Sequence, residues 1–194
     1  GSLILAIGPQ NLFVIEQGLK RKFVFTITTI CAASDILLIF LGIFIYHIFD
    51  SISLEVEVIL NIILIVFLIN YIKDKIGSFK NEYKVKNIEQ SQKLKNIVLK
   101  TLGFTYLNPH VYSDTVFILG NLSKNFALQE KFYFAFGASF ASIIFFYSLG
   151  YMSSIFANYI KKKNTWKYIN SFIVSFMSVL VIFIVYDTYE LLFS

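Results

Sequence analysis

"LILAIGPQNLFVIEQG", residues 3–18, is an apolar run interrupted by Gly8-Pro9-Gln10-Asn11. The flanks read as a membrane helix. A proline inside such a helix removes a backbone donor and frees a carbonyl that hydrocarbon cannot satisfy. The groups released at the break must therefore face protein or a watery cavity. The chain has one other proline, Pro109, and it too sits in an apolar run, at "LNPHVYSD", residues 107–114.

Composition supports the membrane reading of both runs. Of 194 residues, 57% are hydrophobic and only 15% charged, with a mean hydropathy of +0.69. Runs of about twenty apolar residues, enough to cross about 30 Å of hydrocarbon, recur along the chain. They are continuous and lack the period-two alternation of a barrel, so the spans are helical. Six segments are expected: Leu3–Gln17, Phe23–Phe49, Val56–Ile72, Ile97–Leu122, Phe132–Ile160 and Tyr168–Phe193. The first is short for a crossing and reads as a span missing its beginning rather than as a signal peptide.

Between the third and fourth segments lies one long polar connection, Lys73–Asn96, with seven lysines and three acids. It divides the chain into a first three-helix half, residues 1–72, a basic linker, 73–96, and a second three-helix half, 97–194. Fifteen of the seventeen basic residues fall in alternate connections, around Lys20–Lys22, Lys73–Lys100 and Lys161–Lys167. The positive-inside rule puts those connections in the cytoplasm and both termini outside. The formal charge of +5 is thereby explained by lipid asymmetry, and nucleic-acid binding is discounted.

Halves of three spans each have opposite orientations in the membrane. The first and fourth spans are both broken at a proline, and the second and fifth both carry small-residue clusters, "CAASD" at 31–35 and "GASFAS" at 137–142. The expected fold is thus an all-α integral membrane protein of six transmembrane helices, arranged as two inverted three-helix repeats with broken first and fourth helices. In such folds, interrupted helices at matching positions mark a midplane site.

Half-helix N-termini at the two breaks carry partial positive charge and suit an anionic group such as an α-carboxylate. Gln10, Asn11 and Asn108 offer further hydrogen bonds there. Of the twelve acids, Asp35 and Asp114 are the two inside apolar stretches, where an ionised side chain is costly and usually has a task. A substrate cation and a proton can compete for one such carboxylate. The alternative is an aspartate held neutral by Ser34, Ser113 or a nearby amide. His110, beside Pro109, is either a proton carrier or a satisfied hydrogen-bonding residue. Tyr106 and Tyr112 flank the second break, either closing over a ligand or simply packed. Gly137 with Ala141, and Ala138 with Ser142, read as helix-packing pairs. No nucleophile, zinc or P-loop signature is found, and the sequence calls for no enzyme activity, metal or cofactor.

Several spaced stretches together, "AIGPQNLFVIEQGLKR" (6–21), "CAASD" (31–35), "LNPHVYSDTVFILG" (107–120), "FAFGASFASIIFF" (134–146) and "WKYIN" (166–170), resemble the L-lysine/L-arginine exporter family of bacterial plasma membranes, LysE/ArgO type. The resemblance implies efflux of L-lysine or L-arginine without ATP. Carried over by position, it implies substrate contacts at Gly8, Pro9, Gln10, Asn11, Asp35, Asn108, Pro109, Tyr112 and Asp114. Asp35, Asp114 and His110 are the proton-coupling candidates. Related branches export threonine, homoserine, leucine or cadmium, so a neutral amino acid or a divalent metal is the alternative cargo. A cation conduit and a non-transporting membrane scaffold are the rival classes. The lipid bilayer is the expected surrounding, and a homo-oligomer is left open.

Overall fold

The computed structural model describes residues 8–45, 54–80, 94–157 and 163–193, and among them every regular element is helical. The elements are α1 (Pro9–Lys20), α2 (Val24–Ile45), α3 (Leu54–Lys80), α4 (Leu94–Tyr106), α5 (Pro109–Tyr112), a π-helical turn π1 (Ser113–Ile118), α6 (Leu119–Ser123), α7 (Leu128–Phe156) and α8 (Lys163–Phe193). Among the described residues, four stretches are long and apolar enough to cross a bilayer: Val24–Ile45, Leu54–Gly77, Leu128–Phe156 and Tyr168–Leu192. The chain is an all-α, multi-pass membrane protein.

The fourth expected span does not appear as one helix. Asn108-Pro109 ends α4, and the run resumes as α5, π1 and α6, none long enough alone. In the first span, α1 starts at Pro9, and residues 1–7 lie outside the described residues. The linker also starts later than its polarity suggests. α3 continues past Ile72 to Lys80, while residues 81–93 lie outside the described residues.

Burial is arranged as a lipid environment demands. Ile59, Ile62 and Val66 of α3 and Phe136, Phe140 and Ile144 of α7 are exposed, whereas Gln10, Glu16, Gln17, Asn61, Thr105 and Asn108 are buried. Large apolar side chains face outward at no cost when the solvent is hydrocarbon, and polar groups collect inside, where protein can satisfy them. Thr28, Thr101, Thr105 and Thr115 do this locally, each donating its hydroxyl to the carbonyl one turn back.

The helices pair in a definite pattern. α2 packs along α7 and α3 along α8; α1 lies on α7, while α4, π1 and α6 lie on α2. Glycines admit the closest approaches. A Cβ on Gly18 would meet the Gly150 carbonyl oxygen at 2.5 Å, and one on Gly42 would meet Val116 Cα and O at 2.6 Å. Gly137, by contrast, has nothing within 4 Å of its Cβ position among the described residues, so it makes no close helix contact there. Along α3, Leu64, Leu68, Tyr71 and Lys75 are buried, and along α8, Ile173, Met177, Leu180 and Ile184 are buried at the same spacing.

Candidate functional site

Both prolines start helices rather than kinking them. Gly8 is extended (φ −63°, ψ 169°) with Pro9 at the first helical position, and Asn108 is extended (φ −89°, ψ 108°) with Pro109 likewise first. Proline fits there because that N–H has no intrahelical partner in any case, and its ring presets φ. The residue before it is pushed to extended backbone for steric reasons. Each break thus places a fresh helix start inside an otherwise apolar run.

The second break is tied down by its own side chains. Asn108, 2% exposed, accepts the His110 backbone N–H at 3.2 Å as an N-cap. Tyr112 donates its hydroxyl to the Tyr106 carbonyl at 2.8 Å, so it satisfies an oxygen that the ending of α4 leaves without a helical partner. Tyr112 thereby braces the break. Beyond it the backbone widens into π1, which carries Asp114. A π-turn holds an extra residue in the helix and re-aims the side chains after it, a device frequent at functional sites.

Helix α2 joins the two breaks. Its Cys31 is fully buried beside Gln10 of the first break and Thr105, just before the second. One turn further, Asp35 accepts a 2.9 Å hydrogen bond from the Ser142 hydroxyl of α7. Asp35 also lies within electrostatic reach of Asp114, which in turn feels His110 one turn before it. Asp114 is exposed on its element and Asp35 is half-buried. Two carboxylates, a histidine and two helix starts therefore border one region along α2, with its Asp114 edge open to the surface. Gln10 is 5% exposed and its Nε2 has no hydrogen-bond partner among the described residues; the Ser139 Oγ, one turn before Ser142 on α7, has none either. Buried donors left open in this way are what a polar ligand or water would satisfy.

Of the residues singled out from sequence, Gln10, Asn108, Asp35, Asp114 and His110 fall in or next to this region, with Gly8 and Pro9 shaping the first helix start. Asn11 is half-buried on α1. Sequence reasoning passed over Ser142 as a partner of Asp35, although its place in the "GASFAS" cluster was a signal. It also passed over Glu16, taken for a residue at the end of a span. That carboxylate is 1% exposed and paired with Lys20 of its own helix and Lys75 of α3.

The LysE type translocator family model matches residues 1–188. Relatives include proteins named arginine exporter protein ArgO from three bacteria. That of Serratia proteamaculans is 32% identical over 177 residues, covering 89% of this chain and 85% of the relative. That of Klebsiella pneumoniae is 32% identical over 174 residues, covering 87% and 81%. That of Shigella flexneri is 33% identical over 178 residues, again covering 87% and 81%. No solved structure matches the chain.

Proposed function

The chain belongs to the LysE type translocator family, and from that premise we propose that it exports basic L-amino acids, arginine or lysine, across the bacterial inner membrane by alternating access. The observation that carries the reading is the meeting of two proline-initiated helix starts on α2, one turn from the Asp35–Ser142 pair, in a chain similar to proteins named arginine exporters. A basic amino acid presents an α-carboxylate at one end and a cationic side chain at the other. The helix starts suit the first, through oriented amides and partial positive charge. Asp35 and Asp114 suit the second.

Two inverted three-helix repeats, joined by the basic linker, are the architecture we infer. In its support, exchanging the halves maps the packing pattern onto itself: α1 on α7 becomes the broken fourth span on α2, while α2–α7 and α3–α8 map onto themselves. The glycine contacts made to main chain fall on the two exchanged interfaces, Gly18–Gly150 and Gly42–Val116. With lysine-rich connections cytoplasmic, the α1–α2 turn and the linker share that face.

Carrying one positive charge outward against an inside-negative potential costs about 2.3 kcal/mol per 100 mV. Exchange for a proton removes that penalty by making the cycle electroneutral. In the mechanism, the ionised Asp35 carries the substrate cation outward and returns protonated. Ser142 can donate to the ionised form or accept from the acid, so it orients Asp35 in both limbs.

The test is efflux of preloaded radiolabelled arginine from proteoliposomes with an imposed pH gradient, in competition with lysine, threonine and leucine. We expect competition by lysine alone and faster efflux with acid outside. Competition chiefly by threonine or leucine would overturn the substrate assignment, and flux indifferent to the gradient would overturn the coupling.

A further inference from the structure

A second charged cluster is buried away from the breaks. Glu16 Oε1 pairs with Lys20 Nζ at 2.7 Å and with Lys75 Nζ of α3, and Tyr71 donates its hydroxyl to Oε2. The Tyr71 ring lies under two ammoniums, Lys75 at 5.6 Å and Lys100 at 5.2 Å from its centroid. At the helical rise, Glu16 stands about 9 Å along α1 from Gln10, so the cluster is separate from the site at the breaks and lies toward the Lys20–Lys22 turn.

Taking Glu16 and Lys75 out of water is costly, and a fold that needed only a seal would use apolar side chains. At the matching register of the other half, α8 does so, burying Leu180 and Ile184 where α3 buries Tyr71 and Lys75. The charge at this register is therefore particular to the contact of α1 with α3. Resting on the export reading above, we propose that Glu16 is a further cation site on the transport path, where the Lys75 ammonium is a resident occupant that a basic substrate displaces as it enters.

The chemistry of the exchange is balanced. An ammonium or guanidinium head replaces one ammonium at the same carboxylate, so Glu16 is never left buried without a counter-charge. Lys75 makes the swap feasible because its charge rides on a flexible four-carbon stem, whereas a guanidinium binds a carboxylate bidentately and holds it better. Displacement also breaks the ion pair between α1 and α3. Substrate arrival is thereby coupled to the parting of those helices.

The test compares the half-saturation for arginine at the face bearing the Lys20–Lys22 turn, in oriented proteoliposomes, for the unmodified chain, Lys75→Gln and Lys75→Arg, with thermal unfolding in detergent as a check of fold. Lys75→Gln removes the resident competitor, and we expect half-saturation to fall about five-fold; Lys75→Arg strengthens the competitor and should raise it about three-fold. A structural tie alone would not move the two variants in opposite directions. If Lys75→Gln unfolds, the rise in Lys75→Arg, which keeps the charge, still decides. Half-saturation unchanged in Lys75→Arg, or moved the same way by both, overturns this inference and leaves the export reading standing. Absence of arginine and lysine flux in the unmodified chain overturns both.

Discussion

At the scale of single residues, the interior acids divide by what faces them. Glu16 is surrounded by two ammoniums and a phenol, while Asp35 has one hydroxyl from Ser142. A carboxylate so lightly satisfied keeps acceptor capacity for a ligand cation. Asp35→Asn removes the charge but keeps an oxygen for Ser142. We therefore expect the thermal unfolding midpoint to stay within about 1 kcal/mol of stability, while arginine efflux falls about 30-fold or more, the usual cost of losing one member of a buried charge pair. An Asp35→Asn protein with undiminished efflux would remove Asp35 from the mechanism. Bracing residues should behave the other way. Tyr112→Phe loses the bond to the Tyr106 carbonyl, and we expect about 1 kcal/mol lower stability with the pH dependence of efflux unchanged. Asp35 and Asp114 were legible because an acid inside an apolar run stands out along one dimension. Glu16 was not, because its burial is decided by Tyr71 and Lys75, far along the chain on another helix.

At the scale of elements, close approach is set by backbone meeting backbone. A Cβ at Gly42 would stand 2.6 Å from Val116 Cα and O and 2.8 Å from the Thr115 carbonyl oxygen, all main-chain atoms of π1. Main chain held in a helix cannot step aside as a side-chain tip can. Gly42→Ala should therefore destabilise by about 1–3 kcal/mol, read as a lower unfolding midpoint in detergent, and should push π1 and its Asp114 away from α2. Gly137→Ala is the control: nothing lies near its Cβ, and replacing glycine within a helix should leave stability unchanged or raise it by up to about 1 kcal/mol. Equal losses from the two substitutions would show that the α2–π1 contact is not the tight one. The helix breaks could be read from the sequence, since proline has few places to sit in a membrane run. The π-turn could not, because "SDTVFI" at 113–118 carries no residue that demands it. The continuation of α3 to Lys80 was hidden for a related reason: hydropathy falls at Lys73, but Lys75 is buried against Glu16 of another helix, a contact that no local pattern shows.

At the scale of the whole molecule, orientation decides what every interior charge is for. The candidate site at the breaks adjoins Cys31 and Asp35, partway along α2, whereas Glu16 and Lys20 stand in the last turns of α1, next to the α1–α2 turn. If that end faces the cytoplasm, a buried carboxylate already holding an ammonium stands where a basic substrate enters. If it faces outward, the same cluster would stand at the exit, and a rebinding site there would slow export. The distribution of lysines argues for the cytoplasm, because translocating a short lysine-rich connection across the inner membrane is opposed by its potential. Chemistry gives a direct measurement. The chain's single thiol, Cys31, is fully buried and serves as an unreactive background. Single cysteines at Lys124, between α6 and α7, and at Lys163, at the start of α8, then report the two faces. We expect a membrane-impermeant thiol reagent to label Lys124→Cys in intact cells, and Lys163→Cys only after the membrane is opened. The reverse pattern would turn the molecule over and assign the Glu16 cluster to release rather than entry. Labelling of both from outside would place the two connections on one face, which no arrangement with a single span between them allows, and would dismantle the inverted-repeat architecture itself.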